Sequence, residues 1–409
     1  MKRVFPGSIP RFDLAAPARG LALVKEIAMI AVAVLVVGSF AVAATPVLVP
    51  GPATAALAGT AALAASPARE AAESSPGAIP RGPRALSQRA MEAAAEYSAL
   101  HGGAAVLVMQ NGEIVFERYE AGTDAETAMN LHSGTKGFWG PVVAAMIEDG
   151  LIDSFEQHAA DFIPEWQGRP WKQEITIRHL LNLTCGLPQD LPALQGYDRP
   201  TLAPDLYAHA VQLPLIQLPG RRFSYGPSCY YALGAVLKNV LAERNMTPLD
   251  YLKARILDPI GVEIGDWVHD ASGNPHIPNG AFLSARNWAR YGQWLLQEGA
   301  WNGTQIVRPD LMRQLREPSE ANPGHGLAIW LNRPMGYDPQ DQRAGRPPAP
   351  GPGGFIYPDG HPDIFAAMGA GKNRMYIIPE LSVVAVRQTH RLSDRFEDEV
   401  FLRLLLEER

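Results

Sequence analysis

The residue types and spacings best suited to covalent chemistry fall on Ser133, Lys136 and Tyr225. His132-Ser133-Gly134-Thr135-Lys136 holds the only S-x-x-K of the chain. It stands where an irregular stretch gives way to a helical pattern. There, positions i and i+3 face the same way, so a lysine amine can reach a serine hydroxyl. A helix start also aims backbone N–H groups and a partial positive charge at the serine, which favours a developing oxyanion. A serine hydroxyl attacks poorly until a neighbouring base takes its proton. A lysine serves as that base when its surroundings depress its pKa. Spacing alone also fits an N-cap serine followed by a surface lysine, because such a pair arises by chance about once in a chain this long.

Tyr225 lies in Pro219-Gly220-Arg221-Arg222-Phe223-Ser224-Tyr225-Gly226-Pro227. The Gly-Pro pair turns the chain tightly before a helix, so the phenol is able to project into a cleft. A phenol beside an ammonium loses its proton at moderate pH and acts as a general base. The plainer alternative is a half-buried tyrosine with a hydrated hydroxyl. Ala367-Met368-Gly369-Ala370-Gly371 follows an apolar run, and glycines at a strand edge admit a ligand close to the backbone. An N–H there would serve as a second oxyanion donor; a simple bulge is the alternative. His132, His179 and His209 read as structural, since no serine sits in a G-x-S-x-G elbow. Cys185 and Cys229 are the only cysteines, too few for a four-ligand zinc site. They fit either a pair in an oxidising compartment or two small buried apolar residues. No metal and no cofactor is expected.

The elements that must position these groups follow from periodicity. Ser87 to Leu100 reads as a helix ended by Gly102-Gly103. Ala104–Met109 and Glu113–Tyr119 are β-prone around Asn111-Gly112, a strong hairpin signal. Lys136 to Ile147 is helical, with a kink expected at Pro141. Thr176 to about Leu257 is mainly helical, and Thr247-Pro248 suits a cap and first helical position. Ser284 caps a helix whose Trp288, Tyr291, Trp294 and Leu295 form a core stripe. Gly326–Leu331, Ile364–Gly369, Met375–Ile378 and Val383–Arg387 are short and β-prone. Ser393 to Glu408 is an amphipathic helix, and Arg343 to Gly354 is a Pro- and Gly-rich surface loop. Strands early and late with helices between them predict one sheet closed by both termini and a helical lobe inserted in the middle.

These segments together resemble the serine β-lactamase and penicillin-binding superfamily, most closely its class C and esterase branch, from about Ser87 to the C-terminus. His132 to Lys136 is similar to the family's first motif. Ile175-Thr176-Ile177-Arg178-His179-Leu180-Leu181-Asn182-Leu183-Thr184-Cys185-Gly186-Leu187 resembles its I-T-I-R-H-L-L-x-x-T-x-G-L stretch. Pro219 through Tyr225 to Tyr231-Ala232-Leu233-Gly234 resembles P-G-x-x-F-x-Y-S-N…Y-x-L-G, and Trp301-Asn302-Gly303 also has a counterpart. The resemblance implies an α+β fold of the β-lactamase/transpeptidase type, with an antiparallel sheet, terminal helices and an all-helical lobe. It implies Ser133 as acylated nucleophile, Lys136 and Tyr225 as the proton-transfer pair, and the N–H groups of Ser133 and Ala370 as oxyanion hole. Two motifs depart from the pattern. Tyr-x-Asn is here Tyr225-Gly226-Pro227, and Lys-Thr-Gly or His-x-Gly is here Ala367-Met368-Gly369. The groups that would recognise a β-lactam's amide and carboxylate are thus replaced, with Lys372 close enough to compensate. Gly369, Gly371 and Lys372 are the expected substrate-binding residues.

Composition bounds the rest. The 409 residues carry 36 Lys+Arg against 42 Asp+Glu, net −6. Residues 1–84 hold eight basic and four acidic residues, so 85–409 carry −10. Such an acidic body, without a Lys/Arg cluster, argues against a nucleic-acid partner. Lys2, Arg3, Arg11, Arg19 and Lys25 precede an uncharged apolar run from Ile27 to Ala44, and Ala41-Val42-Ala43 resembles a cleavage site. Residues 1–44 therefore read as a signal peptide or a membrane anchor, 45–84 as an Ala/Pro/Gly-rich tether, and 85–409 as the hydrolase domain outside the cytoplasm. The expected activity is an exported serine hydrolase acting on a small-molecule ester or amide. The alternatives are a β-lactamase or D-alanyl-D-alanine carboxypeptidase, and a catalytically silent scaffold. Oligomeric state is open.

Overall fold

A computed structural model describes residues 84–189, 191–194, 202–334, 354–390 and 395–406. The N-terminal run 1–83 and nearly all of the Pro- and Gly-rich loop at 343–354 lie outside the described residues. Helices are α1 (Gln88–Leu100), α2 (Trp139–Glu148), α3 (Ile177–Leu181), α4 (Leu206–Gln212), α5 (Ser228–Leu241), α6 (Pro248–Leu252), α7 (Ala285–Leu296), α8 (Pro309–Gln314) and α9 (Asp398–Leu406). Strands are β1 (Ala105–Gln110), β2 (Glu113–Tyr119), β3 (Met129–Asn130), β4 (Asp266–Trp267), β5 (Ala281–Leu283), β6 (Ala300–Trp301), β7 (Thr304–Gln305), β8 (Trp330–Leu331), β9 (Phe365–Gly369), β10 (Asn373–Ile378) and β11 (Val383–Gln388).

The main sheet runs β2-β1-β11-β10-β9-β8, and every pair in it is antiparallel. The expected α+β architecture is present: strands from both ends of the chain share this sheet, and the helical segment α3 to α6 lies between them in sequence. Asn111 and Gly112 both take positive φ (55° and 87°), the conformation a two-residue turn between twisted strands requires.

Alternation along the strands divides the core. Val106, Val108, Ala366, Met368, Tyr376, Val383 and Ala385 face one side and pack with Ala94, Ala95, Phe401 and Leu402 of the terminal helices α1 and α9. Leu107, Ala367, Met375, Ile377, Val384 and Val386 face the other side, where Trp288, Tyr291 and Trp294 of α7 join the main core. Gly292 lets α7 come close, since a Cβ there would lie 2.7 Å from Val384 Cγ1.

The caps form as the sequence predicts. Thr247 and Asp250 make a capping box with Pro248 in the first turn, and Ser284 Oγ accepts from Asn287 N. Two expectations change. Pro141 produces no break, because α2 starts at Trp139 and the proline sits in its first turn, where a missing N–H costs nothing. The stretch 326–331 is strand only at Trp330–Leu331. Of the two readings open for the cysteines, the structure selects the disulfide Cys185–Cys229, which ties the loop after α3 to the first turn of α5.

Candidate active site

Ser133 and Lys136 lie in a 3₁₀ helix, His132–Phe138, that leads directly into α2. A 3₁₀ helix has three residues per turn, so side chains at i and i+3 eclipse. This brings Lys136 Nζ within 3.1 Å of Ser133 Oγ. The segment is anchored before and after. β3 pairs with β5, Leu131 N donates to Ala281 O at 2.9 Å, and Ala281 N donates to Thr135 Oγ1 at 3.1 Å. His132 occupies the left-handed region at φ 49°, uncommon for a residue other than glycine, and its N–H donates to Asn130 Oδ1 at 2.6 Å. Gly134 admits Trp288, whose Cζ2 would lie 2.9 Å from a Cβ there.

Lys136 is 5% exposed, and its amine also donates to Pro278 O at 3.1 Å. It lies 5.0 Å from the Tyr225 ring centroid and 5.3 Å from that of Tyr230. The two phenols differ in what they can do. Tyr230 OH donates to Leu181 O at 3.0 Å, and burial pushes its pKa well up, so it stays protonated and committed. Tyr225 is half-buried, with Trp330 and Phe223 beside it at ring separations of 5.4 and 6.4 Å. His325 closes this cluster from behind, 4.8 Å from Trp330 and 5.3 Å from Phe223. Burial, helped by the Lys136 charge, lowers its pKa to about 3, so it is neutral at physiological pH.

The end of β9 meets the serine segment. A Cβ on Gly369 would lie 1.9 Å from Leu131 O and 3.2 Å from Gly134 N, so only glycine fits. A Cβ on Gly137 would lie 3.2 Å from that of Ala367. Ala367-Met368-Gly369 thus ends its strand beside the serine segment. The turn Ala370–Lys372 follows, with Gly371 and Lys372 at φ 71° and 65°. Lys372 Nζ lies 3.9 Å from Asp398 Oδ2, so its charge is engaged within the protein.

The three histidines fall outside the Ser133–Lys136–Tyr225 group. His179 completes a capping box with Thr176, its Nδ1 accepting from Thr176 N at 3.2 Å, and His209 lies in α4. His132 is pushed down by burial. Pro227 immediately precedes α5, where Gln189 Oε1 accepts from Ser228 N at 2.9 Å. Sequence reasoning missed Tyr230, the Pro278 carbonyl, His325 and Gln189. None carries a local signal, since the contact that brings each to the site comes from a distant segment: Lys136 for Tyr230 and Pro278, Phe223 for His325 and Ser228 for Gln189. Among the described residues, no group of three or more His, Cys, Asp or Glu is placed to hold a metal.

Comparison with known proteins bears on the family and the fold. Protein Rv1367c of Mycobacterium tuberculosis is 25% identical over 354 residues, covering 68% of this chain and 85% of that one. A candidate 6-aminohexanoate-dimer hydrolase from Bacillus anthracis superposes with a TM-score of 0.59 at 21% identity, over 77% of this chain and 84% of the other. EstCE1, a hydrolase with promiscuous acyltransferase activity, superposes at 0.58 and 18% identity, over 78% and 97%. Both likenesses are of fold. The family model named Beta-lactamase matches residues 89–407, nearly all of the folded body, and the chain therefore belongs to the beta-lactamase family, within the serine β-lactamase and penicillin-binding superfamily of hydrolases.

Proposed function

We propose that this protein is an exported serine hydrolase that cleaves a neutral carboxylic ester or amide through an acyl-enzyme on Ser133. The observation that carries the reading is the contact of Ser133 Oγ with a buried lysine amine, 3.1 Å away, itself packed against the half-buried Tyr225. In the first half-reaction Oγ attacks the carbonyl carbon and its proton passes to the Lys136–Tyr225 pair. The carbonyl oxygen, now negative, is held by the N–H groups of Ser133 and Ala370. Collapse expels the alcohol or amine, which takes the proton back. Water then attacks the acyl-enzyme by the same steps and releases the acid. Tyr225 is the phenol for this task because Tyr230 has its proton committed to Leu181 O.

Two features favour a simple acyl group over a β-lactam. Position 227 is proline, without a side-chain amide to hold a substrate amide. Lys372 is directed to Asp398, which reduces the charge it could offer a carboxylate. Groups that do not bind the transition state better than the ground state add nothing to the rate. A fold shared with a hydrolase that transfers acyl groups suits an acyl-enzyme route. Export is supported by the basic residues ahead of the apolar run 27–44 and by the disulfide, which persists in oxidising compartments. The test is fluorophosphonate labelling and turnover of p-nitrophenyl esters by the full chain and its Ser133→Ala variant. Labelling that survives the substitution overturns the proposal.

A further inference from the structure

The four residues that follow Met368 share a feature: each backbone carbonyl accepts a hydrogen bond from a side chain of β10 or β11. Gly369 O accepts from Arg374 Nη1 at 2.9 Å, and Ala370 O from Asn373 Nδ2 at 2.9 Å. Gly371 O and Lys372 O both accept from Arg387 Nη1, at 3.2 and 2.7 Å. Arg374 and Arg387 are direct cross-strand partners on β10 and β11, pointing to the face covered by α1 and α9. Both are nearly inaccessible, at 5% and 0% exposure.

Each arginine is itself fixed. Arg374 makes a two-pronged contact with Asp398, Nε to Oδ1 at 2.5 Å and Nη2 to Oδ2 at 3.3 Å, and Tyr376 OH donates to the same carboxylate. Burial alone would raise the Asp398 carboxyl; Arg374, with Lys372 and Tyr376, outweighs it and holds the group below the usual carboxylate range. Arg387 donates from Nε to Ser98 Oγ at 3.1 Å and from Nη2 to His101 O at 3.0 Å, with Phe396 against its guanidinium at 4.1 Å. Asn373 is held in turn by Thr389 N, which donates to its Oδ1 at 2.9 Å.

We infer that Arg374, Asn373 and Arg387 are positioning residues for the second oxyanion donor, a role that rests on the acyl-enzyme reading above. The peptide unit is planar and trans, so the Gly369 carbonyl and the Ala370 N–H lie in one plane and point in opposite directions. Fixing the carbonyl on Arg374 therefore fixes the direction of the N–H. A cation on the carbonyl also polarises the peptide and strengthens its N–H as a donor. Asn373 and Arg387 hold the next three carbonyls. They keep Gly371 and Lys372 in left-handed conformations that Lys372 would not adopt unaided. The donor beside Ser133 is thus set by residues that never touch the substrate.

The experiment compares Arg374→Lys, Arg387→Lys and Asn373→Ser with the wild-type full chain. Active sites are counted by fluorophosphonate titration, p-nitrophenyl butyrate supplies kcat and KM, and phenylboronic acid supplies a tetrahedral oxyanion mimic on Ser133. Arg374→Lys is expected to lower kcat per titrated site by about 10- to 100-fold, with KM changed less than about twofold. Boronate affinity is expected to fall by the same factor as kcat/KM, and Asn373→Ser to show a smaller loss of the same kind. If Arg374→Lys does not fold, the Arg387→Lys and Asn373→Ser results decide. Folded variants with wild-type kcat per titrated site, lower melting temperature notwithstanding, overturn the positioning role. So does a loss of kcat with unchanged boronate affinity. A wild-type chain that neither labels nor turns over the ester overturns the acyl-enzyme reading, and the positioning role with it.

Discussion

The serine segment Leu131–Lys136 and the turn Ala370–Lys372 abut one another but are built in opposite ways. Ser133 meets Lys136 through the threefold repeat of one short helix, across three positions of sequence. The turn is held by Arg374 and Arg387, which are fixed in turn by Ser98 of α1, His101 just after it and Asp398 of α9, with up to 289 positions between partners. In the proposed mechanism the first region supplies side chains that exchange a proton. In the same mechanism the second supplies a backbone N–H that must only keep its direction. Substitutions in the first are expected to cost activity with little stability, and substitutions in the second to cost both.

The largest expected effect is at the nucleophile. Ser133→Ala should remove ester turnover and labelling, a loss of about 10⁴-fold or more, with Lys136→Ala close behind. Ser133→Ala should leave the thermal midpoint nearly unchanged. A large drop in that midpoint would break the contrast by making Ser133 structural. Tyr225→Phe keeps the ring and removes the hydroxyl, with an expected loss of about 10²- to 10⁴-fold. The double variant Lys136→Ala/Tyr225→Phe should be little worse than the poorer single one, because groups acting as a unit are not additive. Near-wild-type activity in folded Tyr225→Phe would pass the base role to Lys136 or a water.

The turn side is expected to respond in stability. Asp398→Asn leaves Arg374 buried against a neutral amide and should destabilise by about 3–5 kcal/mol, read by urea unfolding. A shift under about 1 kcal/mol would mean that Arg374 keeps enough other partners.

Acid sensitivity separates the regions further. His325, in the cluster behind Tyr225, has its folded pKa lowered to about 3. The unfolded chain takes up that proton near pH 6.5, so stability is full above about 6.5 and falls as pH drops towards about 3. Asp398, also lowered, loses its contribution only below the ordinary carboxylate pKa of about 4. His325→Gln should therefore flatten the decline between pH 6.5 and 4 and leave the steeper loss below it. The smallest expected difference is one of preference: short acyl esters should be turned over faster than nitrocefin. Equal kcat/KM for the two would show that Pro227 and the Lys372–Asp398 contact do not matter.

Much of the site was legible because its first half is local. Sequence by itself determined the i, i+3 spacing that lets Ser133 and Lys136 meet, the Asn111-Gly112 hairpin, the caps at Thr247 and Ser284, and the motif stretches around His179 and Tyr225. In each, residue types a few positions apart interact through a fixed helical or turn geometry. Tertiary structure alone decided that Cys185 and Cys229 are joined, that Tyr230 is committed while Tyr225 is half-buried, and that Pro278 O holds the lysine. It alone decided that Lys372 turns to Asp398, and that two arginines grip the carbonyls of the turn. Those partners are chosen by sheet register and by which face of β10 and β11 the terminal helices cover, and a buried arginine looks no different in sequence from one at the surface.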